Sequence, residues 1–156
     1  MGDLSRGIHL RAFAKVNYTL EVRGIRRDGY HEISTVMQNV SLADEIELTR
    51  AASGFDLRIE PEDVEVGPPE SNTVYGAWTL LREWTRRDLP VQMRLIKNIP
   101  AGAGLGGGSA DAAAALIGLN RLFDLKLRDE ELREIGVRIG ADVPFCIAGG
   151  TALGEG

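Results

Sequence analysis

A glycine-rich segment followed by an alanine-rich stretch is the part of the sequence best suited to hold an anion. Residues 100–111 read Pro-Ala-Gly-Ala-Gly-Leu-Gly-Gly-Gly-Ser-Ala-Asp, and residues 112–117 continue as Ala-Ala-Ala-Ala-Leu-Ile. Glycine permits positive φ and keeps side chains away, so consecutive backbone N–H groups can converge on one anion. A helix that begins in this segment adds its free N–H groups and the positive end of its dipole.

These features predict a phosphate-binding loop, whereas a flexible glycine linker is the simpler alternative. A linker is seldom joined directly to an alanine-rich helix such as the one expected from residue 109 to about residue 123. Pro100 cannot continue a sheet, and Ser109 can either cap the helix or contact phosphate directly. The candidate residues of the loop are Pro100, Ala101, Gly102, Ala103, Gly104, Leu105, Gly106, Gly107, Gly108, Ser109 and Ala110.

Three polar residues outside the loop could act on a ligand bound there. Apolar side chains occupy the even positions from residue 8 to residue 22, which predicts one strand or two collinear strands. Lys15 and Asn17 then project from the same face, about 6.6 Å apart along the strand. Asp142 precedes a Val-Pro pair at residues 143–144, and because a residue before proline favours extended geometry, we expect a sharp turn there. The simpler interpretations are a solvated lysine on an open sheet face and an isolated acid in a turn.

A turn at residues 23–29 contains three arginines and an Asp-Gly pair and leads directly into Tyr30 and His31. An aromatic ring beside an imidazole can stack on a flat ligand such as a nucleobase and form hydrogen bonds with it. Ordinary packing at a surface or a sheet edge is the alternative for this pair.

The composition limits the classes of protein and partner. At 156 residues the chain suits one domain. The net charge of −5 and the scattered basic residues argue against nucleic acid as the main partner. The single cysteine, Cys146, excludes an internal disulfide and provides no metal-ligand spacing, which fits a cytoplasmic protein. The sequence has neither a long apolar run nor a charged leader, so we expect no membrane span.

The remaining pattern predicts both strands and helices. Apolar alternation predicts further strands at residues 34–42, 44–50, 55–59 and 91–95. Helical spacing predicts helices from residue 71 or 72 to residue 84 and from residue 129 to residue 139. Residues 147–156 are expected to form another strand that is cut short, so we interpret the chain as part of a longer protein.

Three well-known glycine loops fit the sequence poorly. A Walker A loop requires Lys followed by Ser or Thr after its last glycine, and no such lysine is present. Glycines at 102, 104 and 107 satisfy a dinucleotide fingerprint, but the strand before them is half polar and a second helix follows the first. The downstream signatures of protein kinases are also missing. A nicotinamide-dependent dehydrogenase is kept as one alternative.

The complete pattern resembles the second motif of the galactokinase, homoserine, mevalonate and phosphomevalonate kinase superfamily. In this chain the motif has a proline, then Gly-Leu-Gly at residues 104–106 and small residues that open an alanine-rich helix. Flanking motifs agree in order and spacing with one member of the superfamily. They are Ala-Lys-Val-Asn at 14–17, Arg-Asp-Gly-Tyr-His at 27–31 and Gly-Ala-Asp-Val-Pro at 140–144. Together the motifs extend over nearly the whole chain, which makes the resemblance specific.

This resemblance implies an α+β fold, a mixed β-sheet backed by helices. It also implies transfer of the γ-phosphate of ATP to a hydroxyl group of a small cytidine diphosphate derivative, in non-mevalonate isoprenoid synthesis. Residues 1–156 would then be the ATP-binding N-terminal domain. We expect a second domain outside this chain, and weak or no turnover without it. The alternatives are another small-molecule kinase of the superfamily and a noncatalytic RNA-binding module of the same fold.

The resemblance also implies roles for the polar candidates. Asp142 matches the catalytic acid that accepts the substrate proton, and Lys15 would lie between it and the hydroxyl group. Tyr30 and His31 match the residues that hold cytosine, and Asn17 matches a substrate contact.

The nucleotide and its cation would be held by the loop and by residues near it. The loop would wrap the ATP phosphates, with Asn72 and Lys97 as candidates near the adenine. The phosphate charge requires a divalent cation, Mg²⁺. Many superfamily members have serines that approach magnesium where this chain has Gly107 and Gly108, so the metal ligands are left unassigned. Asp111 either faces away from the phosphates or binds the cation.

Overall fold

The chain folds as a mixed β-sheet packed against helices. The structure is a computed structural model and describes residues 7–29, 31–62 and 68–155. Within these residues the strands are β1 (Ile8–Ile25), β2 (His31–Arg50), β3 (Phe55–Glu60), β4 (Val91–Ile96) and β5 (Thr151–Glu155). The helices are α1 (Thr73–Thr85), α2 (Gly107–Leu122), α3 (Asp129–Val137) and α4 (Val143–Ala148), and a 3-10 turn spans Pro69–Ser71. This arrangement confirms the expected α+β fold.

Strand β2 is the centre of the sheet and is longer than the sequence pattern predicts. The strand order is β1-β2-β4-β3, and β5 also pairs with β2. Only the β3–β4 pair is parallel among the described strands. The prediction of separate strands at 34–42 and 44–50 is wrong, because β1 remains paired with β2 at Ala43 and Asp44.

Strand β1 is continuous but shifts its register three times, and the first shift lies between Phe13 and Lys15. There the alternation of buried and exposed side chains breaks, so that Ala14 and Lys15 are both buried, at 0% and 7% exposure. Farther along β1 the apolar side chains are exposed, with Tyr18 at 69%. The alternation therefore predicts the strand correctly but does not predict which part of it is covered.

The core lies between one face of the sheet and the helices. In β4, Val91, Met93 and Leu95 are fully buried while Gln92 is exposed, as the predicted alternation requires. Helix α1 buries Val74, Ala77, Trp78 and Leu81. Helix α2 is buried on most of its surface, with the buried residues Ala110, Asp111, Ala112, Ala113, Ala114, Ala115, Leu116, Gly118 and Leu119. This confirms its predicted central place.

The ends of the last helices differ from the prediction. Helix α3 ends at Val137, two residues before the predicted end, and helix α4 begins at Val143. The expectation that Val143 is extended is therefore wrong. Proline is tolerated in the first turn of a helix because its missing N–H has no intrahelical partner there, and Pro144 takes such a position. Among the described residues, no helix has the length and apolar character needed to cross a membrane.

Candidate active site

The glycine loop joins the end of β4 to the start of α2 and takes the backbone form that its glycines permit. Gly102, Gly104 and Gly106 have φ values of 71°, 73° and 69°, in the left-handed region that favours glycine. The last two glycines, residues 107–108, instead form the first turn of α2. Backbone N–H groups rather than side chains therefore line this turn.

Helix α2 begins with Gly106 as its N-cap, so the prediction that Ser109 caps the helix is wrong. The first helical hydrogen bond already closes at Gly106, whose carbonyl oxygen accepts from Ala110 N–H at 2.9 Å. Ser109 is the third residue of the helix, and its Oγ lies 3.6 Å from where a Cβ on Gly140 would be. The first N–H groups of α2 have no intrahelical acceptor and, with the helix dipole, are suited to bind an anion. A contact between Ser109 and phosphate stays a prediction.

The tertiary structure brings Lys15 and Asp142 into direct contact, although they are far apart in the sequence. Lys15 Nζ lies 3.1 Å from Asp142 Oδ2, with side-chain exposures of 9% and 36%. Asp142 stands at the start of α4 but makes no capping hydrogen bond through its side chain, so its carboxylate is directed to Lys15. A buried ammonium can orient a carboxylate that a ligand still reaches from solvent. The catalytic roles of these two residues stay predictions.

Lys15 also contacts the glycine loop through its backbone and its side chain. Its N–H donates to the carbonyl oxygen of Leu105 at 2.9 Å. Its aliphatic stem lies so close to Gly106 that a Cβ on that glycine would stand 2.9 Å from Lys15 Cγ. The ammonium of Lys15 is therefore positioned between the start of α2 and Asp142.

Asn17 extends this cluster through hydrogen bonds within the β1–β2 hairpin. Lys15 Nζ donates to Asn17 Oδ1 at 2.6 Å, and Asn17 Nδ2 donates to Thr35 Oγ1 at 2.7 Å. Thr35 Oγ1 in turn donates to the carbonyl oxygen of Thr19 at 2.6 Å. The predicted shared face of Lys15 and Asn17 is confirmed. Sequence reasoning missed Thr35, because its contact with Asn17 depends on the register between two strands.

A cleft of about 310 Å³ opens at the glycine loop. It is lined by Ser71, Asn72, Thr73, Lys97, Asp111 and all residues from 99 to 108. Asn72 Oδ1 accepts a hydrogen bond from Val74 N–H at 2.9 Å and caps α1, so the helix starts from one of the two positions, residue 71 or 72, that the sequence predicts. A contact between Asn72 and adenine stays a prediction.

A comparison with known protein families agrees with this geometry. Residues 72–150, about half of the chain, match the description "GHMP kinases N terminal domain". The chain belongs to the GHMP kinase family. This confirms the resemblance to the galactokinase, homoserine, mevalonate and phosphomevalonate kinases, whose initials the family name combines. The matched segment contains Asn72, the glycine loop and Asp142.

Curated relatives of this GHMP kinase chain share nearly half of its residues. It is 45% identical over 149 residues to a 4-diphosphocytidyl-2-C-methyl-D-erythritol kinase of Acetivibrio thermocellus. The aligned region covers 96% of this chain and 52% of the relative. It is 47% identical over 154 residues to the protein of the same name in Syntrophomonas wolfei. That alignment covers 98% of this chain and 53% of the relative. The chain thus spans about half the length of the curated relatives it matches.

Solved structures show the same fold. A crystal structure of a 4-(cytidine 5'-diphospho)-2C-methyl-D-erythritol kinase superposes with a TM-score of 0.81 at 38% identity, over 96% of this chain and 52% of the other. The mevalonate kinase of Methanococcus jannaschii superposes with a TM-score of 0.76 at 12% identity, over 97% of this chain and 54% of that kinase. The second likeness is one of fold alone.

Lys97 of this GHMP kinase chain forms two ion pairs beneath the loop, which the sequence did not predict. Its Nζ contacts Asp44 Oδ2 and lies 2.7 Å from Asp111 Oδ2. Asp111 is therefore held by Lys97 in a buried ion pair, and the alternatives that it faces away from the phosphates or binds the cation stay predictions. A contact between Lys97 and adenine stays a prediction.

Burial and shared charge shift the pKa values in this cluster. The pKa of Asp111 is raised to about 7, mainly because the carboxyl group is buried, although the positive charge of Lys97 acts to lower it. Burial also acts to lower the pKa of Lys97, but Asp111 and Asp44 outweigh it and hold that pKa above its ordinary value. Lys97 therefore remains charged, whereas Asp111 titrates near neutral pH.

Asp44 is the functional candidate that sequence reasoning missed most clearly. It lies in the middle of β2 and is fully buried. A signal was present, because Asp44 has the same parity in the strand as the buried residues Ile46 and Leu48. A carboxylate on the core face of a strand requires a charged or hydrogen-bonding partner.

Of the predicted cytosine pair, Tyr30 and His31, the structure describes His31. His31 is exposed at the start of β2, paired with Ile25 at the far end of the hairpin from Lys15. Tyr30 lies outside the described residues. The proposed role of both residues stays a prediction.

Proposed function

We propose that the protein transfers the γ-phosphate of ATP to the 2-hydroxyl group of 4-diphosphocytidyl-2-C-methyl-D-erythritol. The observation that carries this proposal is the Lys15–Asp142 pair at 3.1 Å, beside a glycine loop that opens onto a helix N-terminus. The names of the curated relatives support the choice of acceptor. Residues 1–156 would act as the ATP-binding N-terminal domain, in a cytoplasmic step of isoprenoid synthesis.

The glycine loop binds the phosphates mainly through backbone groups. Free N–H groups in the first turn of α2 donate to phosphate oxygens, and the helix dipole favours their negative charge. This replaces the lysine that a Walker A loop would bring to the outer phosphates. Lys15 adds a cation at the side of the loop that faces Asp142, where the transferred group must lie.

The acceptor hydroxyl group loses its proton to Asp142 as the reaction proceeds. Its oxygen forms a bond to the γ-phosphorus, the bond from phosphorus to the bridging oxygen breaks, and ADP leaves with that electron pair. Lys15 stabilises the negative charge that develops on the attacking oxygen, and it holds the carboxylate of Asp142 in place. Because phosphoryl transfer depends mostly on positioning and electrostatics, these two side chains together with a metal ion are sufficient for the role.

The base of the acceptor distinguishes this proposal from another small-molecule kinase of the family. Tyr30 would stack on the cytosine and His31 would form hydrogen bonds with it, while Asn17 would contact the substrate near Lys15. Replacing Tyr30 or His31 should then raise KM for the cytidyl substrate far more than KM for ATP. Equal effects on both would favour a different acceptor.

Mg²⁺ is the cation expected with ATP. The described residues contain no group of three or more His, Cys, Asp or Glu side chains able to hold a metal ion. We therefore assign no protein ligand to Mg²⁺. When bound with ATP, the ion neutralises phosphate charge.

An ADP-release assay on the full-length protein tests the proposal. With ATP, Mg²⁺ and the cytidyl substrate, we expect turnover that depends on the acceptor and that Asp142→Asn abolishes. Asp129→Asn, an exposed carboxylate at the start of α3, is the matched control and should retain activity. ADP release without acceptor, or an active Asp142→Asn variant, would refute the assignment. Tight, salt-sensitive RNA binding without turnover would favour the RNA-binding alternative.

A further inference from the structure

A buried cluster of three charged side chains lies directly beneath the glycine loop. Asp44 has no exposed surface, and the side chains of Lys97 and Asp111 are 8% and 4% exposed. The three residues come from different elements, since Asp44 belongs to β2, Lys97 follows β4 and Asp111 belongs to α2. None of them contacts Lys15 or Asp142 in the described ion pairs.

Asp44 holds the two residues, Asn98 and Ile99, that precede the glycine loop. Its Oδ1 accepts a hydrogen bond from Ile99 N–H at 2.8 Å and another from Asn98 N–H. Asn98 also donates through its side chain to the carbonyl oxygen of Ala43 at 3.0 Å. Hydrogen bonds to a charged acceptor are stronger than neutral ones. The backbone that leads from β4 into the loop is therefore tied to β2.

Lys97 connects this fixed start to the helix that receives the phosphates. Its Nζ bonds Asp44 and, at 2.7 Å, Asp111 in the second turn of α2. The same Nζ lies 3.3 Å from where a Cβ on Gly107 would be, so it reaches the underside of the first helical turn. One ammonium group thus links both ends of the loop.

The charges in the cluster do not balance when both carboxylates are ionised. Two carboxylates share one ammonium, and Asp111 Oδ1 is buried with no hydrogen-bond partner among the residues that the structure describes. Charged groups near Asp111 are Lys97 and Asp44. On the α4 side, the pKa of the Cys146 thiol is raised to about 12, mainly by burial and then by the negative charge of Asp142. The negative charge of Asp111 adds to this increase. A further negative charge in the cleft therefore favours protonation of one carboxylate.

We propose that Asp44, Lys97 and Asp111 are positioning residues for the glycine loop, and that binding of nucleotide phosphate is coupled to proton uptake by Asp111. Asp111 lines the same cleft as the loop, so phosphate charge there disfavours its ionised form. Protonation leaves Lys97 and Asp44 as a balanced pair. The inference rests on the proposed function only in that nucleotide phosphates occupy the loop.

Calorimetry of ATP binding to the full-length protein tests the coupling. The titration is made slightly above pH 7, where more than half of the Asp111 carboxyl groups are ionised in the free protein, in two buffers that differ in heat of ionisation. We expect the native protein to take up a fraction of one proton more than Asp111→Asn does when ATP binds. Protons released or bound by ATP itself are the same in both titrations, so the difference belongs to the protein. Asp129→Asn should behave as the native protein does.

Three outcomes decide the inference. ATP binding without this difference in proton uptake, or with the opposite difference, would overturn it and leave the proposed function intact. Failure of ATP to bind at all would overturn both. Where Asp111→Asn does not fold, the carboxyl carbon shift of Asp111 in the native protein replaces it, and that shift should move toward the protonated form when ATP is added.

The positioning role needs a separate readout. Lys97→Met removes two charged hydrogen bonds and should raise KM for ATP by about tenfold or more, with a much smaller change in KM for the acceptor. Lys97→Arg retains the charge and should restore part of the affinity. Equal effects on both KM values, or no rescue by arginine, would contradict a positioning role.

Discussion

Lys15 lies against Gly106 so closely that a Cβ on the glycine would stand 2.9 Å from Lys15 Cγ and 3.0 Å from Lys15 Cε. Gly106 is also the N-cap of α2, with φ of 69°. The same glycine therefore belongs to the proposed phosphate loop and packs against the lysine that reaches Asp142. This contact joins the proposed anion site to the proposed proton acceptor.

Gly106→Ala should affect turnover more than stability. Alanine at positive φ costs about 1 kcal/mol, and the added methyl group would displace the stem of Lys15. A displacement on the order of 1 Å can reduce kcat about 100-fold. Gly54→Ala is the matched control, because Gly54 also has φ of 69° but no atom within 4 Å of its Cβ position. Similar kcat values for the two variants would show that Lys15 does not depend on this contact.

Thr35→Val should weaken turnover through Asn17, whereas Thr35→Ser should not. Thr35 is 3% exposed, and valine removes the hydroxyl group that accepts from Asn17 Nδ2. Asn17 would then be free to turn its Oδ1 away from Lys15. We expect kcat to fall about tenfold at unchanged affinity for ATP, from loss of about one hydrogen bond to a charged group. Steady-state kinetics of the two variants decide the point, and a serine variant as impaired as the valine variant would speak against it.

Asp111→Asn should change how stability depends on pH. The pKa of Asp111 is raised in the folded protein from 3.8 to about 7 by burial, so its protonated form is favoured by folding. That contribution is complete below about pH 4 and is lost as pH rises toward 7. Relative to the native protein, the asparagine variant should gain stability over this range, by at most about 4 kcal/mol. Urea unfolding at a series of pH values measures the difference, which should change through pH 7 and become flat above about pH 8; a pH-independent difference would contradict the assignment.

Gly118→Ala should destabilise the protein, although alanine is the better helix former. A Cβ on Gly118 would lie 2.7 Å from Leu48 Cδ1, and Leu48 is fully buried, so the core must rearrange at a cost of about 1–3 kcal/mol. Gly76→Ala in α1 is the comparison, because among the described residues no side chain or other element lies within 4 Å of its Cβ position beyond its own chain neighbours and helix backbone. That variant should be more stable by roughly 0.5–1 kcal/mol. Thermal unfolding of both proteins checks the sign, and two stabilised variants would show that α2 can move away from the sheet.

The elements that depend on neighbouring residues could be predicted from the sequence. Period-two alternation predicted β4 correctly, and helical spacing predicted α1 with a start at residue 71 or 72. The glycine run predicted a loop in which Gly102, Gly104 and Gly106 adopt positive φ. Strand alternation also placed Lys15 and Asn17 on one face. These features are local, because propensity, parity and capping involve residues a few positions apart.

The tertiary structure alone decided what depends on distant residues. The contact between Lys15 and Asp142 requires that α4 pack beside β1, and the pairing of Asn17 with Thr35 requires the shifted register of β1 on β2. The charge cluster of Asp44, Lys97 and Asp111 required three elements to converge in a buried place. Ser109 lost its predicted capping role because the first helical hydrogen bond closes at Gly106 instead. The sequence by itself determined the elements and the loop, whereas packing decided the partner of each charge, since burial makes an unpaired charge costly.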